Sequence, residues 1–290
     1  MSKARERFRE IIARPACIPA APIFDPLSAR IADMLGWEVC KLSGSVGKFA
    51  NLAVPDGVPI SNMSDLVDVC WRISRVADVS LIADADEGGG NALNVFRTVR
   101  ELEAVGVSAI ELEDNLVPRR FGDGKSRHSL MVSVEEQVGK LKAAVAARRD
   151  SSTVIVARTS ALAELPLNEA LDRIRAYSQT GAEAIMLPGV PRGRADIEAV
   201  HQATPLPLCV LGAPPDTVDA PGFLAANGVR IRFLGQPIYG TVVKALFDGL
   251  KHLKDGGSAA DLTDRMASQE LLRAVNRTDE FVQWQEEYVK

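Results

Sequence analysis

Residues 80–114 read SLIADADEGGGNALNVFRTVRELEAVGVSAIELED and contain the repeating unit of the whole chain. The apolar run from Ser80 to Asp84 has the length and composition of a buried strand. Over residues 91–105, Leu93, Phe96, Val99, Leu102 and Val105 recur at helical spacing, and Gly106 stands where a left-handed C-cap closes a helix. A second apolar run, Ala109 to Glu113, follows at once. Strand, helix and strand in this order predict a parallel pair.

The same rhythm continues in both directions. Strands are expected at Ile18 to Phe24, Val39 to Leu42, Ser80 to Asp84, Ala109 to Glu113, Thr153 to Arg158, Ala184 to Leu187, Leu206 to Leu211 and Arg230 to Leu234. Gly36, Gly181 and Gly228 repeat the part of Gly106, and Ser133 with Glu136 reads as a capping box opening a helix to Arg148. Eight such units favour an α/β fold of the (β/α)8 barrel type, because closure leaves no sheet edge. A dinucleotide-binding open sheet is the rival, but no G-x-G-x-x-G follows the first strand. The barrel is expected over residues 1–256. Residues 257–290 are expected to form a helical extension whose Leu262, Met266, Leu271, Leu272, Phe281 and Trp284 pack on the barrel or on a neighbouring subunit.

Composition narrows the functional classes. Of 290 residues, 47% are hydrophobic, and 34 basic against 38 acidic residues leave a net charge of -4. That balance gives no footprint for nucleic acid or an anionic membrane surface, leaving small neutral or anionic metabolites. The 4 cysteines are widely spaced without a C-x-x-C pair, so they read as reduced and the setting as cytoplasmic. The first residues, Met1 to Arg14, are amphipathic without a signal-type apolar core, and no run reaches about 18 apolar residues, so neither a signal peptide nor a membrane span is expected.

In a barrel the working residues stand at the C-terminal strand ends, and here those ends are acidic. Asp84 with Asp86, and Glu111 with Glu113, are two apart and share a face in extended chain. Converging carboxylates repel unless protons, basic groups or a cation neutralise them, and an oxygen-only donor set selects a hard divalent ion such as Mg2+. The competing reading makes Asp86 a helix cap and Glu111 a solvated residue. Arg158 ends the run Val154 to Ala157 at the same mouth, where it suits a substrate carboxylate or an ion pair with those acids. Gly88, Gly89 and Gly90 allow close backbone approach to a ligand or form a plain connection. Ser43, Gly44, Ser45 and Val46 could turn N–H groups and hydroxyls toward an oxyanion, while Asp56 is a turn residue or holds a metal-bound water. Among the 3 histidines, His201 and His252 fall in helical segments and His128 in a polar loop. No Ser-His-Asp order, zinc-type cluster or P-loop is visible.

Taken together, Phe24-Asp25-Pro26-Leu27-Ser28-Ala29-Arg30, Ser43-Gly44-Ser45-Val46, Pro55-Asp56, Ala83-Asp84-Ala85-Asp86, Gly90-Asn91-Ala92-Leu93-Asn94-Val95, Glu113-Asp114, Val134-Glu135-Glu136, Gly139-Lys140 and Ala157-Arg158-Thr159 resemble the isocitrate lyase and phosphoenolpyruvate mutase superfamily, and within it the bacterial oxaloacetate decarboxylases. The resemblance implies a (β/α)8 barrel with its last helix exchanged between subunits of a homodimer or homotetramer. It implies Mg2+, with Mn2+ as a substitute, held directly by Asp84 and through waters by Asp56, Asp86 and Glu113. Ser43, Gly44, Ser45 and Val46 would bind the substrate oxyanion and carboxylate, and Arg158 and Gln236 would contact substrate as catalytic residues. The implied reaction is decarboxylation of oxaloacetate, or a related α-oxo dicarboxylate, to pyruvate and CO2 through a metal-stabilised enolate. Cleavage of a malate- or isocitrate-like substrate, or carboxylate binding without turnover, are the alternatives.

The chain departs from these relatives at three places. True lyases of the superfamily resemble one another in a Lys-Lys-Cys-Gly-His-type loop after the fourth strand; here Pro118-Arg119-Arg120-Phe121-Gly122 has no cysteine, which argues against isocitrate-type cleavage. The decarboxylase relatives carry His-Gly-Tyr-Gly after the paired aspartates where this chain has Glu87-Gly88-Gly89-Gly90. Gln236 follows Gly235 where those relatives carry histidine, and a glutamine donates a hydrogen bond but cannot serve as a general acid.

Overall fold

The computed structural model describes residues 3–56, 61–116, 130–212 and 220–289. Helix α1 (Lys3–Ala13) precedes β1 (Ile18–Ile23), α2 (Pro26–Met34), β2 (Val39–Leu42), α3 (Gly44–Leu52) and α4 (Met63–Ser74). Next come β3 (Ser80–Asp84), α5 (Ala92–Ala104), β4 (Ala109–Glu113), α6 (Val134–Ala147), β5 (Val154–Arg158), α7 (Ala161–Glu164) and α8 (Leu167–Ser178). The chain continues through β6 (Ala184–Leu187), α9 (Arg194–Ala203), β7 (Leu208–Val210), α10 (Pro221–Ala226), β8 (Val229–Phe233) and α11 (Pro237–Lys254). A 3-10 helix (Ala259–Arg265), α12 (Gln269–Val275) and α13 (Thr278–Tyr288) follow.

All neighbouring strands are parallel and the sheet closes on itself, β1 meeting β8 at Ile18↔Ile231. The expected barrel is therefore present, each strand lying within two residues of its sequence-based bounds, β7 being the most shortened at Leu208–Val210. Gly36, Gly106, Gly181 and Gly228 adopt φ of 78, 93, 91 and 77°, the conformation glycine supplies at a helix end. One cap differs from expectation. Ser133 accepts from Glu136 N at 3.1 Å, but Glu136 turns its carboxylate toward Lys140 at 3.9 Å, so the reciprocal half of the box is not made.

The strand period of two divides the core. Val39, Ile82, Ala109, Val154, Val156, Ala184, Met186, Cys209 and Ile231 point inward and pack with Phe8, Ile11 and Ile12 of α1. Helix α1 thereby closes the N-terminal end of the barrel, where Arg7 reaches Asp78 O at 2.7 Å and Arg9 reaches Ser152 O at 3.1 Å. Outward residues such as Leu81, Ala83, Ile110, Leu112, Ile155 and Ile185 pack under the helix layer. Helix α11 departs from that layer: it has no buried residue and exposes Leu246, Phe247 and Leu250. No described helix is long and apolar enough to cross a membrane. The cysteines are free, three buried and Cys17 half-buried.

Candidate active site

Two residues beyond the inward apolar positions, the same parity delivers charge. Lys41, Asp84, Glu111 and Arg158 follow Val39, Ile82, Ala109 and Val156 along their strands, and Glu113 follows Glu111. Strand register brings them side by side, Asp84 opposite Glu111 and Glu113 opposite Arg158. Arg158 Nη1 donates to Asp84 Oδ2 at 2.5 Å, and its Nε lies 3.0 Å from Glu113 Oε2. Glu111 is fully buried and ion-paired to buried Lys41, not solvated.

Asp86 sits beyond the end of β3 with φ 47°, the left-handed region that is costly for a residue with a Cβ. Its turn is tethered: Asp86 O accepts from Glu113 N at 2.8 Å, Glu87 O from Lys140 Nζ at 3.3 Å, and Gly88 O from Thr98 Oγ1 at 2.9 Å. Asp86 does not cap the following helix; Asn91 does, accepting from Leu93 N and Asn94 N. Lys48 of α3 donates to Asp86 Oδ2 at 2.9 Å.

The segment after β2 is helical from Gly44, so the expected oxyanion-binding N–H groups belong to a helix N-terminus. One of them is already engaged, Gly44 N donating to Asp84 Oδ2 at 3.3 Å. Ser43 and Ser45 are half-buried with their hydroxyls 3.1 Å apart, and Val46 is buried. Gln236 is half-buried at the start of α11 without capping it through its side chain. Asp56 stands apart from the cluster, exposed in a turn 4.0 Å from Lys48. The loop residues Pro118 to Gly122 and His128 lie outside the described residues.

Electrostatics separate the carboxylates. Burial pushes Asp84 up, but Arg158, Lys41 and the Gly44 N–H outweigh it and hold its carboxyl well below the usual range. Glu113 goes the other way, pushed up to about 7 by burial and by the charges of Asp84 and Asp86 against the pull of Arg158. Asp86 and Glu111 are also raised, chiefly by burial. A cavity of about 560 Å³ opens beside the cluster, lined by Gly44, Lys48, Asp84, Asp86, Glu87 and Arg97 among others.

Among the described residues no three histidines, cysteines or carboxylates converge closely enough to ligate one ion directly. The donors nevertheless fit a hard cation that keeps most of its waters. They are all carboxylates, Glu113 Oε2 is buried without a hydrogen bond, and a Cβ on Gly44 would lie 2.9 Å from Asp86 Oδ1, so glycine leaves the space beside the two aspartates open.

Residues 8–254 match the family described as phosphoenolpyruvate phosphomutase. The chain belongs to that family. It is 38% identical over 285 residues to the oxaloacetate decarboxylase of Paraburkholderia xenovorans (strain LB400), covering 98% of this chain and 93% of the relative. In three dimensions it is similar to a phosphonopyruvate hydrolase solved with oxalate and Mg2+, with TM-score 0.84 and 29% identity over 99% of both chains. It is likewise similar to an oxaloacetate acetylhydrolase solved with the inhibitor 3,3-difluorooxalacetate, with TM-score 0.84 and 27% identity over 99% of this chain and 98% of the other.

Within this phosphoenolpyruvate phosphomutase family barrel, two sets of residues went unread in the sequence. Lys41 is one; its signal is a lysine at inward parity in the otherwise apolar strand Val39-Cys40-Lys41-Leu42. The other surrounds Asp114, which accepts from Thr159 Oγ1 at 2.7 Å and Tyr177 Oη at 2.8 Å, while Arg173 Nη1 donates to Val132 O at 3.0 Å. That network fastens the ends of β4 and β5 behind the cluster.

Proposed function

We propose that the chain is a divalent-cation-dependent decarboxylase of oxaloacetate or a closely related α-oxo dicarboxylate, yielding pyruvate and CO2. The observation that carries this reading is the convergence of Asp84, Glu113 and Arg158 at the barrel mouth. The identity to an oxaloacetate decarboxylase over nearly the whole chain supports it and puts the reaction among carbon–carbon lyases.

Asp84 would hold Mg2+ or Mn2+ directly, with Asp86, Glu113 and Asp56 holding its waters. The bound cation would supply Lewis-acid stabilisation of the negative charge that develops on the α-oxo oxygen. The chain's own residues do the rest. Arg158 offers a planar pair of N–H donors to the C1 carboxylate. The Ser43 and Ser45 hydroxyls, with the N–H groups of Ser45 and Val46 in the first turn of α3, would face the anionic oxygens with a helix N-terminus behind them, while the Gly44 N–H stays on Asp84. The C3–C4 bond breaks, CO2 leaves without the bonding pair, and C3 takes up a proton. Gln236 can orient substrate by a hydrogen bond but cannot donate that proton as an acid, so the proton comes from water.

The exposed apolar strip of α11 supports a homodimer or homotetramer in which this last barrel helix covers a neighbouring subunit, with residues 257–290 continuing that contact. The test of the activity is pyruvate release from oxaloacetate with Mg2+, with chelator, and in a protein-free blank, since free metal decarboxylates oxaloacetate slowly. Turnover above the blank that disappears with chelator is expected. Turnover no faster than the blank sinks the proposal.

A further inference from the structure

Three cations face the cluster of Asp84, Asp86, Glu111 and Glu113, and the proposed reaction uses only one of them. Arg158 is assigned to substrate and Lys41 is spent on Glu111. Lys48 is left over. It approaches from α3, outside the strands, with its ammonium 2.9 Å from Asp86 Oδ2 and 4.0 Å from Asp56 Oδ1, and its side chain is 11% exposed. Both acids it serves are among those proposed to hold the cation's waters. The same helix is pressed against the cluster through Gly44, and Lys48 lines the adjoining cavity, so its flexible stem has room to withdraw.

We propose that Lys48 competes with the divalent cation for Asp86 and Asp56, and so makes metal binding depend on the anionic substrate that accompanies it. The inference rests on the cation-dependent reading above. Counted in their ionised forms, the clustered Asp84, Asp86, Glu111 and Glu113 face Lys41, Lys48 and Arg158, leaving one net negative charge, with the exposed Asp56 beyond them. A divalent cation alone converts this to one net positive charge in a poorly solvated site, and a chelating dianion restores one negative. Metal and dianion therefore raise each other's affinity by the same factor, as linkage requires. Without the Lys48 charge, the site starts two negative and takes the metal alone to neutrality. The metal then binds well by itself and the dianion adds less.

The experiment is calorimetric titration of Mg2+ into the wild-type protein and the Lys48→Met, Lys48→Gln and Lys48→Arg variants, each with and without saturating oxalate, with melting curves to establish that each is folded. Lys48→Met and Lys48→Gln are expected to bind Mg2+ alone about tenfold tighter or more, with the enhancement by oxalate reduced by the same factor, and Lys48→Arg to follow the wild type. Mg2+ binding to the neutral variants that is unchanged overturns the inference; binding that is weaker also overturns it and makes Lys48 a brace for Asp86. If no protein binds Mg2+ under either condition, the cation-dependent reading falls and this inference with it. If all bind alike, only the inference about Lys48 is lost.

Discussion

The two ends of the barrel treat charge in opposite ways. At the N-terminal end, α1 seals the interior with Phe8, Ile11 and Ile12, and the guanidinium groups of Arg5, Arg7 and Arg9 are paired with carbonyls and carboxylates. Arg5 donates to Val107 O at 2.9 Å, to Glu103 O and to Asp150 at 2.9 Å, while Glu183 takes Arg9 and Arg148 at 2.6 Å each. The buried polar atoms left without partners at this end, among the described residues, are the neutral hydroxyls of Ser108 and Thr153. At the C-terminal end, beside the neutral Asn115 Oδ1 and Gln137 Oε1, they include charged groups: Glu111 Oε1 and Asp114 Oδ1 have no partner, and Glu113 Oε2 and Arg158 Nε face each other at 3.0 Å as an ion pair without a hydrogen bond. Buried polar groups are normally satisfied, so unsatisfied charge concentrated at one end marks where a ligand completes the structure. Stability is built at the bottom and held in reserve at the top.

Removing one residue from each end tests that division most severely. Asp84→Ala is expected to cut metal-dependent turnover on oxaloacetate by about a thousandfold or more while the protein remains folded, checked by initial rates beside a thermal melt. Retention of the rate would mean that Asp84 is not where the cation is held. Phe8→Ala should do the reverse, costing about 3–5 kcal/mol of stability in urea titration because its ring is fully buried, yet leaving oxalate affinity of the folded protein unchanged. A drop in affinity there would show that the two ends are coupled through the barrel interior.

The same division governs how much was legible beforehand. The strands and glycine caps are local signals, since periodicity and a positive φ depend only on neighbouring residues, and the closed barrel followed from counting them. Asp84, Asp86, Glu113 and Arg158 were legible for the same reason: each lies at or just past a strand end. The Lys41–Glu111 pair was not, because its partners are 70 residues apart and meet only through the register of three strands. Helix α3 was not among the helices expected from the sequence. Gly44, Ser45 and Gly47 are poor helix formers, and what fixes the helix there is tertiary, the bond from Gly44 N to Asp84.

That bond makes Gly44 a finer probe of the top end. In Gly44→Ala the new methyl would lie 2.9 Å from Asp86 Oδ1 and push the carboxylate aside, while alanine favours the helix it joins. Stability within about 1 kcal/mol of wild type and roughly tenfold weaker Mg2+-dependent oxalate binding are the expected results. Unchanged affinity would mean that Asp86 has slack to move without consequence for the ligand.

The finest test separates the two ends by the sign of their pH dependence in the metal-free protein. Glu113 is raised from 4.5 to about 7, so the folded chain holds this proton more tightly than the unfolded one. Its contribution is fully present below pH 4.5 and is lost as pH rises through 7, on the order of 3 kcal/mol. Asp150 at the bottom is lowered, by the Ser152 hydroxyl first and by Arg5. Its contribution is present above its ordinary value of 3.8 and lost as pH falls further. Melting in chelator should therefore show wild type losing ground to Glu113→Gln between pH 5 and pH 7.5, whereas the deficit of Asp150→Asn should shrink as pH falls below 4. Parallel curves for wild type and Glu113→Gln would mean that Glu113 titrates as an ordinary carboxylate, and that the crowding of Asp84, Asp86 and Glu113 stores no free energy for a cation to release.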